Sequence, residues 1–243
     1  MRFITVLLAG LLLLPPAVRA DDPVPEPLRL AMAAAVDDGV DLREDWRFQA
    51  TLTLEDGPVI GRFDGAAPDG AQWSLVWPRQ GSLTETQSAA WDEAQAGPED
   101  EEDSGGLFLA SDALSLIGGD IREIEQTVSH ITYGFAPFLG PDSMDVTFAR
   151  HLVGEIRIRR DIPAVEHIRM YAPASFKPQI ILRINAFEMQ MDFAPLEGHA
   201  APVLVRIVSN IEGSAAFQSI SERSEMRFDE IEYLGADPGA LTR

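Results

Sequence analysis

The chain has 243 residues, 46% of them hydrophobic, and carries 39 acidic against 19 basic side chains, a formal net charge of −20. Phosphate recognition needs clustered Lys and Arg, so this balance argues against nucleic acid as a partner and disfavours anionic membrane surfaces. Cysteine is absent, which excludes disulfides and a lipid-modified N-terminal cysteine, so the fold must rest on a hydrophobic core.

The N-terminus has the pattern of a secretory signal: Arg2, an apolar run of 11 residues from Ile4 to Leu14, Pro15-Pro16, and Val18-Arg19-Ala20 where a signal peptidase reads. A spanning helix needs about 20 apolar residues. A cleaved segment over 1–20 is therefore expected, with no stable membrane insertion afterwards. Residues 21–243 would then form one domain with 17 basic and 39 acidic side chains, net −22. No Asn-x-Ser/Thr sequon occurs: Asn185 is followed by Ala186-Phe187 and Asn210 by Ile211-Glu212. These features together point to a periplasmic location.

Residues 21–27 are proline-rich, and Leu28 to Val36 reads as a short helix ended by Asp37-Asp38-Gly39. Trp46 to Leu54, Val59 to Phe63 and Trp73 to Trp77 read as three strands of a meander, separated by Glu55-Asp56-Gly57-Pro58 and Ala67-Pro68-Asp69-Gly70. Thr84, with Gln87 three residues later, predicts a capping box opening a helix that runs to Ala96. The segment 97–106 contains Glu99-Asp100-Glu101-Glu102-Asp103 and has the composition of a mobile acidic loop. Ser111 to Ile117 is expected to be helical, stopped by Gly118-Gly119, and Asp145 to His151 to form a helical turn. Further strands are expected near 121–136, 153–160, 164–172, 179–194, 202–217 and 225–234.

Two of these strands change phase. Ile180, Leu182 and Ile184 alternate on even positions, whereas Phe187, Met189, Met191 and Phe193 alternate on odd ones. Near Asp229-Glu230 the pattern moves from Met226 and Phe228 to Ile231 and Tyr233. One extra residue in an alternating strand is what a β-bulge supplies, and bulges bend strands. A flat run of 16 residues would span about 53 Å, so the sheet is expected to curve. The fold class is thus mainly β (α+β): one large curved antiparallel sheet, an open half-barrel, with a few short helices in its concave face.

That arrangement resembles the LolA-like superfamily of periplasmic lipoprotein carriers and their relatives. The segments that carry the resemblance are Trp46-Arg47-Phe48-Gln49-Ala50-Thr51-Leu52-Thr53, Gly61-Arg62-Phe63-Asp64, Gln72-Trp73-Ser74-Leu75-Val76-Trp77, and the stretch from His151-Leu152-Val153-Gly154 through Phe187-Glu188-Met189-Gln190-Met191. The resemblance implies an apolar cavity and a lipid or acylated protein as partner.

No catalytic set and no cofactor is expected. His130, His151, His167 and His199 lack metal-ligand spacing and read as scattered, hydrogen-bonded histidines. A hydrolase would need a Ser or Asp brought beside one of them in a cleft. The acidic run 99–103 lacks the alternation of a calcium loop, and no phosphate-binding glycine motif occurs. The candidate ligand-binding residues are Phe187, Met189, Met191 and Phe193, because methionine adapts to varied apolar partners. The competing expectation is an ordinary core under the helices, in a structural or protein-interaction domain with 97–106 as a spacer or a docking surface for a basic partner.

Overall fold

The computed structural model describes residues 24–35, 45–68, 70–79, 81–96, 110–139, 143–199, 201–216 and 218–235. The expected signal segment 1–20, the acidic loop 97–106 and the breaker Asp37-Asp38-Gly39 lie outside them. The elements are α1 (Glu26–Ala35), β1 (Trp46–Leu54), β2 (Gly57–Asp64), β3 (Trp73–Trp77), α2 (Glu85–Ala96), α3 (Ala110–Leu114), β4 (Ile117–Gln126), β5 (His130–Pro137), α4 (Ser143–Ala149), β6 (Val153–Arg159), β7 (Val165–Tyr171), β8 (Phe176–Gln179), β9 (Leu182–Ala194), β10 (Val203–Ala215) and β11 (Gln218–Tyr233).

The strands form one antiparallel sheet in the order β3-β2-β1-β11-β10-β9-β7-β6-β5-β4, with β8 pairing β9. The sheet does not close into a barrel. β11 returns to pair with β1 and so joins the N-terminal meander to the C-terminal strands. The helices lie on one face. Leu28, Ala31 and Ala35 of α1, Ala110 and Ala113 of α3 and Phe148 of α4 share a cluster with buried residues of β5, β6, β7 and β9. A second cluster holds Trp46, Phe48, Phe63 and Val203, with Trp73 and Phe228 against it. α2 packs on β2. A Cβ on Gly61 would sit 2.6 Å from the Trp91 ring, so only glycine there lets this helix approach.

The other face of the sheet is covered with charge. Arg47 bridges Asp64 and Glu232, Arg169 reaches Glu188 at 2.7 Å, and Arg206 links Asp192 to Glu225. One face is thus apolar and the other ionic, as alternation in a sheet covered on one side requires.

Both expected phase changes are bulges. Glu212 pairs with Ala186 and Gly213 with Ile184, which leaves Asn185 as the extra residue of β9. Ile184 and Phe187, three apart, are consequently both buried in the main cluster. On β11 the pairing passes from Arg47↔Glu232 to Gln49↔Asp229, and Glu230 adopts φ 51°. Phe228, Ile231 and Tyr233 therefore all reach the second cluster. The capping box also forms: Gln87 N–H donates to Thr84 Oγ1 at 3.2 Å, and Thr84 N–H to Gln87 Oε1 at 3.0 Å.

Several boundaries differ from expectation. The run 121–136 is two strands, β4 and β5, turning at 127–129. The helix expected from Ser111 to Ile117 is α3, and Ile117 already begins β4. The strand expected from 179 begins at Leu182, preceded by the short β8. Ile180 is 100% exposed in the turn and does not share the buried face of Leu182 and Ile184. β11 begins at Gln218, seven residues ahead of the expected 225. In each case hairpin pairing with a neighbour, which local propensity does not encode, sets the boundary.

The bulge on β9 has a partner requirement. A Cβ on Gly213 would lie 2.2 Å from the Arg183 carbonyl oxygen. Gly213→Ala should therefore cost about 2–3 kcal/mol by urea denaturation. In a chain lacking Asn185, where the pairing becomes regular, the same substitution should cost less than about 1 kcal/mol. Equal costs in both backgrounds would detach Gly213 from the bulge.

Candidate functional site

The pairing register places one row of directly opposed side chains across eight strands: Val59, Leu52, Met226, Ile207, Met191, Ile168, Ile156 and Tyr133. Directly opposed residues share a face, so this row is the floor beneath the helices. Its burial is uneven. Val59 at one end and Met191, Ile168, Ile156 and Tyr133 at the other are buried. Leu52, Met226 and Ile207 in the middle are half-buried. The helix contacts account for this: α2 lies on β2, α1 on β6 and β7, and α4 on β8. The helical cover thus sits over the two sides of the sheet, and the half-buried strip runs along β1, β11 and β10 between them.

All four residues singled out in the sequence lie on this face. Phe187, Met189, Met191 and Phe193 are buried members of the main cluster. Phe187 meets the Phe148 ring of α4 edge-on, with centroids 5.3 Å apart. Met189 stands opposite Met170, and Phe193 opposite Leu204. They form a wall of the core adjoining the half-buried strip, and are not its exposed surface. The strip itself was not singled out in the sequence. Its signal was the alternation of Ala50 and Leu52 in β1 and of Met226 and Phe228 in β11.

Polar groups enter the strip toward one end. Ser209 faces Ser224 across β10 and β11, and Ile211 faces Glu222. Ser209 is buried and Glu222 half-buried. Glu222 has no hydrogen bond or ion pair among the described residues. Desolvation, with the Glu55 carboxylate nearby, raises its pKa above the ordinary carboxylate value. Glu225, on the opposite face of the same strand, behaves in the reverse way. Hydrogen bonds from Arg206 at 2.9 Å and Arg227 at 2.7 Å pull its pKa down to about 2.

The histidines do not converge. His167 Nδ1 contacts Asp192 at 2.7 Å on the charged face, and His199 Nδ1 contacts the Ala201 carbonyl at 2.7 Å. The His151 ring stacks on Phe176. His130 lies between Ser129 Oγ at 2.8 Å and Glu166 at 2.7 Å. The Ser129 contact joins sequence neighbours at an exposed hairpin end, where Thr127 Oγ1 also bonds the His130 backbone. It lies away from the core face and reads as a turn lock. No group of three or more metal-ligating side chains forms among the described residues. No described helix is long and apolar enough to cross a membrane. No protein-family model, curated protein or solved structure matches this chain.

The two carboxylates of β11 should titrate with opposite effects on stability. Glu222, raised on folding, destabilises the fold above its folded pKa, and that penalty disappears as pH falls to the unfolded value. Glu222→Gln should therefore stabilise at pH 7, with the gain vanishing as pH falls below the ordinary glutamate value of 4.5. Glu225, lowered on folding, stabilises above the ordinary value and loses that contribution as pH falls toward about 2. Glu225→Gln should cost on the order of 1–2 kcal/mol at pH 7, screening included, and converge with the parent near the acid limit. Chemical denaturation across pH checks both signs.

Proposed function

We propose that this protein is a non-enzymatic binding protein of the cell envelope that holds an apolar ligand, a lipid or an acyl chain, against the core face of its open sheet. One observation carries the reading: the continuous apolar row of eight strands is buried at both sides and half-exposed in the middle, at Leu52, Met226 and Ile207. An apolar strip left between two helical covers suits a ligand that completes the burial. Ser209, Ser224 and Glu222 then supply a polar end for orientation. The export signal expected at 1–20 and the resemblance to LolA-like carriers support the envelope location and the class of ligand.

A second reading has its own support. The Phe187–Phe193 stripe is buried to the degree of an ordinary core, as a structural or interaction domain without ligand would have it. The two readings differ in what Leu52 and Met226 do. On the binding reading, purified protein releases lipid on organic extraction, as read by mass spectrometry, and takes up a fluorescent fatty acid. Leu52→Glu and Met226→Glu should then weaken uptake at least roughly tenfold while leaving the fold intact, since both side chains are already partly solvated. Phe187→Ala should instead cost about 3–5 kcal/mol in stability. A clean extract with no uptake would leave the domain reading standing.

A further inference from the structure

The turn between β8 and β9 puts apolar bulk into water. Ile180 is 100% and Ile181 64% exposed, two adjacent branched apolar side chains at the end of a hairpin. The tip is braced: the Ala216 N–H, from the turn joining β10 and β11, donates to the Ile181 carbonyl at 2.9 Å. Two neighbouring hairpins therefore end together. Neither contributes an acid there. Residues 172–187 and 213–221 contain no Asp or Glu, in a chain with 39 acidic side chains. They do contain Lys177, the only lysine, and Arg183.

Both cations are exposed. Arg183 hydrogen-bonds Asn185 Oδ1 and Ser175 Oγ and forms no ion pair among the described residues, and Lys177 has no hydrogen bond or ion pair there. Arg150 adds a third exposed cation beside His151, whose ring stacks on Phe176 of β8. Arg47, Arg169 and Arg206, by contrast, are each tied to carboxylates.

We propose that this tip is a docking element for an anionic lipid surface, with Ile180 and Ile181 entering the interfacial region and Lys177 and Arg183 engaging the headgroup charges. Shallow apolar insertion combined with flanking cations is how peripheral proteins hold a membrane without spanning it. The overall negative charge does not forbid this. At physiological salt, charges more than about 8 Å away are largely screened, so the local cations decide the contact. The inference stands apart from the apolar ligand proposed above, because none of its residues lies in the half-buried strip.

The chain has no cysteine, so Ile180→Cys gives a single attachment point for an environment-sensitive fluorophore. Val128 provides the control. It is 95% exposed in the β4–β5 turn, and the antiparallel register puts that turn at the opposite end of the sheet. Each labelled full-length chain is mixed with phosphatidylcholine vesicles containing or lacking phosphatidylglycerol. The label at 180 should brighten severalfold and shift to the blue with phosphatidylglycerol present, whereas the label at 128 should not. Adding Lys177→Glu and Arg183→Glu should raise the lipid concentration needed roughly tenfold or more. A silent label at 180, an equal response at 128, or a response indifferent to phosphatidylglycerol and to charge reversal would each overturn the proposal. Comparing positions 180 and 128 within otherwise identical chains removes any contribution from the apolar N-terminal run.

Discussion

The structure depends on keeping the large apolar side chains of its core on one face of an unclosed sheet. An open sheet has no lumen, so the second face must meet water and is held by charge. Exposed ion pairs contribute about 0–1 kcal/mol each, whereas a fully buried aliphatic or aromatic side chain contributes about 1.5–3 kcal/mol. The stability of this fold therefore comes from its single core face, and any error of phase along a long strand would turn part of it outward. β9 and β10, with 13 residues each, and β11, with 16, are the strands where such an error would matter most. Each carries its correction as one extra residue: Asn185 in β9, Val205 in β10 and the Glu230 position in β11. Opposite the first correction stands Gly213, the one residue type whose lack of a side chain lets the bulged backbone approach.

This dependence explains which features were legible in the sequence. The phase changes could be read because burial imposes period two and a bulge breaks it visibly. The capping box and the β1–β2–β3 meander could be read because their turns contain residues with strong local preferences. The β4–β5 turn, Thr127-Val128-Ser129, lacks glycine, proline, Asn and Asp, and is set by Thr127 and His130 bonding each other. The β8–β9 turn is harder still. Ile180-Ile181 has strong strand character, and only the pairing of β8 with β9 and the brace from Ala216 make it a turn. Tertiary pairing overrides local preference at both places.

The candidate site was half legible for a related reason. That Phe187, Met189, Met191 and Phe193 share the core face follows from alternation alone. Whether a helix covers them does not, because the cover comes from segments far away in the chain: α1 from the N-terminal region, α4 from the β5–β6 connection. The exposed part of the row belongs to Leu52, Met226 and Ile207, three residues from three strands. They meet only because β11 crosses back to pair with β1. No local window of sequence contains that juxtaposition.

Two departures from the one-face rule fall at the same end of the sheet. Glu222 puts a carboxylate on the apolar face without a described partner, and Ile180-Ile181 puts apolar bulk into water. Natural sequences tend to break such rules at functional positions. Glu222 lies four residues along β11 from its first residue, Gln218, on the order of 13 Å at the rise of an extended strand. Gln218 pairs with Ala215, and Ala215 pairs with Leu182, next to the Ile181 tip. The polar end of the half-buried strip and the apolar-basic tip are thus consecutive features at one end of the central strands. On the proposed readings this is the arrangement that transfer between a protein groove and a bilayer calls for. An acyl chain lying along β11 from Met226 past Ser224 would have its head near Glu222. Seating the tip on a membrane would place that end of the strip closest to the lipid headgroups.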